Sequence, residues 1–123
     1  MKKIAIVFSL MLYSSTSLSA DFQNVRQLIR SYSSYLESET SPENSNSTQA
    51  EACYSLGLLV SVINTYSKIE EESSLPLMDI WRNLHSYSVS LCLYPHNRSE
   101  YSSEIKAEIY KLAKKVSLTL VQQ

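Results

Sequence analysis

The chain has 123 residues, enough for one small domain with a single core. Apolar residues make up 44% and charged residues 19%, a globular composition that excludes a disordered or fibrous chain. A single glycine excludes a Gly-rich phosphate loop, and 11 basic residues against 12 acidic ones leave no basic excess to hold DNA or RNA.

The first segment has the pattern of an export signal. Lys2 and Lys3 precede an apolar run from Ile4 to Tyr13, and a polar stretch from Ser14 to Ser19 leads to the small residue Ala20. The run is shorter than the roughly 20 apolar residues a membrane-spanning helix needs. Cleavage is expected after Ala20, with Ser19 as the alternative because Leu18 is large for its position. Residues 1–20 are thus expected to be a secretory signal and residues 21–123 a single helical domain in the periplasm, free of a membrane anchor. No cysteine follows the cleavage region to carry a lipid.

Four helices are predicted beyond that point from apolar residues recurring every three to four positions. In the first, Phe22, Val25, Leu28, Ile29, Tyr32, Tyr35 and Leu36 fall on one face, with Asp21 placed to cap. The stretch from Ser38 to Ser47 has no apolar side chain apart from Pro42 and is expected to be a solvated loop. Thr48 and Glu51 then form a capping box, in which each side chain satisfies a backbone donor of the other. The second helix carries Ala52, Leu56, Leu59, Val60, Ile63 and Tyr66 on one stripe, widened by Leu58 and Val62. Gly57 inside it predicts a neighbouring helix packed close at that point.

Residues 70–74 are expected to form the next turn, with Pro76 in the first turn of a third helix. The stripe of that helix is Leu77, Ile80, Trp81, Leu84, Ser88 and Leu91, ending before Pro95. The fourth is expected from Asn97 or Ser99, with Tyr101, Ile105, Ile109, Leu112, Val116 and Leu120 on its buried face. Glu100, Glu104 and Glu108 precede Lys111, Lys114 and Lys115, the charge order that the helix dipole favours. No segment alternates with a period of two. The predicted fold is all-α, a small bundle of about four helices.

Cys53 precedes Ser73 in the expected turn by nearly the distance at which Cys92 follows it, so an antiparallel hairpin brings the two cysteines level. An even cysteine count in an exported chain points the same way. One disulfide joining helices two and three is the expectation.

Candidate chemistry is sparse. His85 lies at the edge of the third stripe and His96 in the turn after it, and neither sits beside a serine in a nucleophile-elbow context. Two bridged cysteines leave no ligand set for zinc. No catalytic residue, metal or cofactor is expected. Glu70, Glu71 and Glu72 form either a solvated helix end or a negative patch that meets a basic partner surface. Tyr32, Tyr66 and Tyr101 belong to core faces, whereas Tyr54 and Tyr94 are expected at the surface, where exposed tyrosines suit protein contacts. Leu58 or Leu118 could equally lie in the core or on a homodimer surface.

An export signal, a cysteine opening an apolar helix as Cys53-Tyr-Ser-Leu-Gly57, and Cys92-Leu-Tyr-Pro95 before a final amphipathic helix together resemble the Rap/Tai-type immunity proteins of type VI secretion. The similarity runs from about Ala50 to Val121, and Tyr54 directly after Cys53 departs from the family's usual spacing. The resemblance implies a periplasmic protein that binds a cognate effector enzyme, a peptidoglycan amidase, and blocks its substrate groove sterically. Two polar turns are the implied contact regions: Glu70, Glu71, Glu72 and Ser73 in one, and Tyr94, His96 and Arg98 in the other. Two other readings stay open, an acid-stress periplasmic chaperone resembling HdeA and a secretion-system assembly factor.

Overall fold

The computed structural model describes residues 24–93 and 101–122. They form α1 (24–40), α2 (Gln49–Ile69), α3 (Glu71–Leu93) and α4 (Ser103–Gln122), an all-α four-helix bundle. The expected leader, Asp21 and Phe22 lie outside the described residues. No helix among the described residues is long and apolar enough to cross a membrane.

Side-chain bonds between helices fix an up-down-up-down course. Glu39 near the end of α1 meets Ser55 near the start of α2. Arg26, far back on α1, lies close to Tyr66 near the end of α2. Between α1 and α4, Arg26 Nη2 donates to the Leu120 carbonyl at 3.4 Å, and the Ser33 and Ser117 hydroxyls share a hydrogen bond of 3.0 Å. Between α2 and α3, Trp81 Nε1 donates to the Val60 carbonyl at 3.0 Å and Gln49 Nε2 to the Leu91 carbonyl at 3.1 Å. The Cys53–Cys92 disulfide, with Cα atoms 5.4 Å apart, joins the start of α2 to the end of α3. Closing a loop of this length stabilises the fold by roughly 4 kcal/mol in the chain-entropy model.

All four helices contribute to one core. Ile29 and Leu36 of α1, Leu56, Leu59, Ile63 and Tyr66 of α2, Leu77, Leu84 and Leu91 of α3, and Ile109, Val116 and Leu120 of α4 are essentially sealed from solvent. The expected stripes of α2, α3 and α4 thus supply the interior.

Four expectations need correction. On α1, Leu28 and Tyr35 are exposed, at 40% and 55%. The inward stripe is Ile29, Ser33, Leu36 and Thr40, so two serine-like hydroxyls hold positions that hydropathy assigns to a loop or an edge. Thr40 stays buried because its Oγ1 donates to the Leu36 carbonyl at 2.7 Å. The expected loop from Ser38 therefore begins only at Ser41, and Glu39 is buried rather than solvated.

Second, residues 71–74 are not part of the turn: α3 starts at Glu71, so Pro76 lies beyond the first turn, inside the helix, where its missing N–H removes one backbone bond. Third, the described part of α4 begins at Ser103. Ser102 caps it, its Oγ accepting from the Ile105 N–H at 3.2 Å. Fourth, a Cβ built on Gly57 meets nothing within 4 Å, so no neighbouring helix approaches there.

Candidate functional site

The turn between α2 and α3 is a single residue. Glu70 leaves the helical region at φ −127° and ψ 79°, its N–H still bonding the Tyr66 carbonyl at 2.8 Å. Its own carbonyl already accepts the first bond of α3, from the Ser74 N–H at 3.0 Å. No described residue takes a positive φ. The reversal is therefore made without a glycine, and it leaves the two helices continuous up to the turn.

This geometry sets out the four sequence-predicted contact residues. Glu71, Glu72 and Ser73 are exposed in the first turn of α3, and Glu70 is half-buried. The α3 carboxylates lie over a helix N-terminus, where unsatisfied N–H groups favour negative charge. Ser74 is buried and its Oγ donates to the Glu71 carbonyl at 2.9 Å. Under the turn lies Tyr66, almost wholly buried. Burial pushes its hydroxyl above the ordinary tyrosine value, the Glu70 charge adds to that, and Arg26 and a hydrogen bond with Ser73 oppose it. The tip is thus tied to the core through Tyr66. Arg26 beneath this turn has no signature in the sequence, since its partner lies on another helix.

Tyr94, His96 and Arg98, the second predicted contact region, lie outside the described residues. The structure therefore brings together only the acidic half of the predicted set.

At the opposite end of the bundle, beside the 41–48 connection, lies an open depression of about 660 Å³ lined by Ser34, Glu37, Ser38, Glu43, Asn44 and Tyr110. Lys106 Nζ donates to the Asn44 carbonyl below it, and the Ser47 and Tyr101 hydroxyls share a bond of 2.8 Å. The depression is polar and wide, without the enclosed apolar wall that holds a small molecule.

His85 is exposed, its ring stacked on Trp81 with centroids 5.0 Å apart and planes 17° apart. Trp81 is itself held by its bond to Val60, so the imidazole lies on a fixed aromatic face. Among the described residues no group of three or more His, Cys, Asp or Glu side chains could hold a metal ion. The arrangement offers a rigid, charged protein surface. Compared with protein-family models, with curated proteins and with solved structures, the chain matches none.

Proposed function

We propose that this protein is a periplasmic immunity protein that binds a peptidoglycan amidase effector and blocks its substrate groove. The observation that carries the reading is the α2–α3 tip. Two exposed carboxylates, Glu71 and Glu72, follow a one-residue turn whose flanking helices are disulfide-linked at their other ends. A surface held this stiffly loses little entropy on binding, which is the property a tight steric inhibitor needs. The chain's own residues take no part in a reaction on this reading; they occupy space and present charge.

The test is calorimetric titration at pH 7 of the oxidised protein with the product of the adjoining open reading frame. A one-to-one complex of nanomolar affinity that abolishes wall hydrolysis is expected. Absence of heat, with hydrophobic-dye binding and protection of client proteins on acidification, would replace the reading with that of an acid-stress chaperone.

A further inference from the structure

The depression beside the 41–48 connection is open, yet its lining is ordered. Ser34, Glu37 and Ser38 share one face of α1, and Glu43, Asn44 and Tyr110 stand around them. Every lining residue offers a hydroxyl, a carboxylate or an amide, and none is aliphatic. The wall is built in advance by Asn44. Its N–H donates to the Ser41 carbonyl at 2.9 Å, and its Nδ2 to the Ser38 carbonyl at 3.4 Å. Its Oδ1 accepts from the Asn46 N–H at 3.2 Å, and its carbonyl accepts from Lys106. Lys114 Nζ lies over the Tyr110 ring, 4.6 Å from its centre. By contrast, the side chains of Ser34, Glu37, Ser38 and Glu43 make no hydrogen bond to another described residue. The frame spends its own polar groups on itself and leaves these four facing the depression.

We propose that this depression binds a neutral oligosaccharide. Charge balance selects the class. The carboxylates of Glu37 and Glu43 are matched by two ammonium groups, Lys106 beneath the connection and Lys114, on which the Glu37 charge acts. A ligand of either net charge is drawn by one pair and opposed by the other, whereas an uncharged one meets no opposition. An apolar ligand would leave the polar lining without partners, at a cost for each group it covered. The remaining class is uncharged, polar over its whole surface, and able both to donate and to accept. A sugar has that pattern: its hydroxyls donate to the carboxylates, accept from the ammonium groups and do both with Ser34 and Ser38. Tyr110 adds an apolar ring that ends in a hydroxyl, matching the alternation of C–H and O–H along a sugar. The open shape suits a chain, which lies along the depression instead of being enclosed by it. The depression is at the other end of the bundle from the α2–α3 tip, so this proposal and the amidase reading stand or fall separately.

The experiment is titration of the oxidised, isotope-labelled protein, followed by its amide resonances, with chitotetraose, with maltotetraose and with spermine. Saturable shifts confined to the depression, at Ser34, Glu37, Ser38, Glu43 and Tyr110, are expected with at least one of the sugars. Millimolar affinity is the expectation for an open, wet site. A preference between the two sugars identifies the kind of glycan. Glu43→Ala and Ser38→Leu, both at exposed positions, are each expected to weaken sugar binding by roughly tenfold, one by removing an acceptor and the other by filling the site. The amide spectrum of each variant shows on the same sample that the bundle is intact. No shift of the lining amides with either sugar overturns the proposal, and so does sugar binding that is indifferent to both variants. Spermine acting on the same amides more strongly than either sugar also overturns it, because the site would then select positive charge.

Discussion

Ser55 Oγ donates a 2.6 Å hydrogen bond to Glu39 Oε2 in the buried seam between α1 and α2. Glu39 is only 7% exposed and Ser55 1%. The Tyr35 hydroxyl supplies a second contact to the carboxylate from the solvent side. A buried charge keeps its place only if its oxygens are satisfied, so Ser55 is the residue that makes Glu39 tolerable. Ser55→Ala is therefore expected to destabilise the fold by about 2–3 kcal/mol. Replacing both residues together, as Ser55→Ala with Glu39→Leu, is expected to cost less than Ser55→Ala alone, because no unpaired carboxylate is left behind. Urea unfolding of the wild type and these two variants at pH 7 measures the difference; equal losses in the single and double variants would show that Ser55 does not support Glu39.

Gly57 gives a prediction of the opposite sign. Its surroundings leave room for a methyl group, and its φ is not positive. Gly57→Ala is expected to stabilise the bundle by about 1 kcal/mol, since glycine in a helix interior is less favourable than alanine by that amount. Thermal unfolding of the variant beside the wild type gives the sign directly. A lower Tm would mean that a neighbour does approach at this position.

The bundle was legible where burial and hydropathy agree. On α4, Ile109, Leu112, Val116 and Leu120 are all inside, and on α2 and α3 the cysteines fell level as their distances from the turn required. α1 was legible only in part. Its inner face is half hydroxyl, Ser33 and Thr40, while Leu28 and Tyr35 point outward, so the apolar pattern named the helix but rotated its face. Glu39 was unreadable because its burial depends on Ser55, sixteen residues away. The tip was displaced for another reason: Pro76 is accepted early in a helix as well as at its first position, and here the helix starts five residues before it. The acidic residues could be recognised as a group, but Tyr66 and Arg26 beneath them could not, since only the folded bundle brings α1 and α2 together at that end.

Three tyrosines predict how stability responds to alkali. Burial raises Tyr66 and Tyr101 above the ordinary value of 10.0, and the Glu39 charge followed by its hydrogen bond raises Tyr35. In each case the fold favours the neutral phenol, so the unfolded chain gives up its proton first. Stability is then fully present below pH 10.0 and falls as the pH climbs through that value toward the folded-state ones. Tyr66→Phe is expected to flatten part of this decline while losing about 1 kcal/mol at neutral pH, the worth of the hydrogen bond with Ser73. Chemical unfolding at a series of alkaline pH values, read alongside ultraviolet titration of the phenols, tests both parts. A decline in stability that is the same in the Tyr66→Phe variant would remove Tyr66 from the alkaline transition.

The acidic tip separates binding from folding only if the right carboxylates are changed. Glu70 is half-buried, near Tyr66, and forms the turn itself, so its replacement disturbs the fold as well as the surface. Glu71 and Glu72 are exposed and touch the fold mainly through the positive end of the α3 dipole. Changing both to glutamine is expected to lower stability by no more than about 1 kcal/mol. If the tip enters the groove of a basic-rimmed enzyme, the same double substitution lowers affinity by roughly tenfold or more and steepens with decreasing salt, as unscreened charge pairs do. Calorimetric titration of Glu71→Gln with Glu72→Gln at two ionic strengths, with Tm measured on the same samples, resolves the two effects. Unchanged affinity at both salt concentrations would take the tip out of the interface and leave the contact to other surfaces of the bundle.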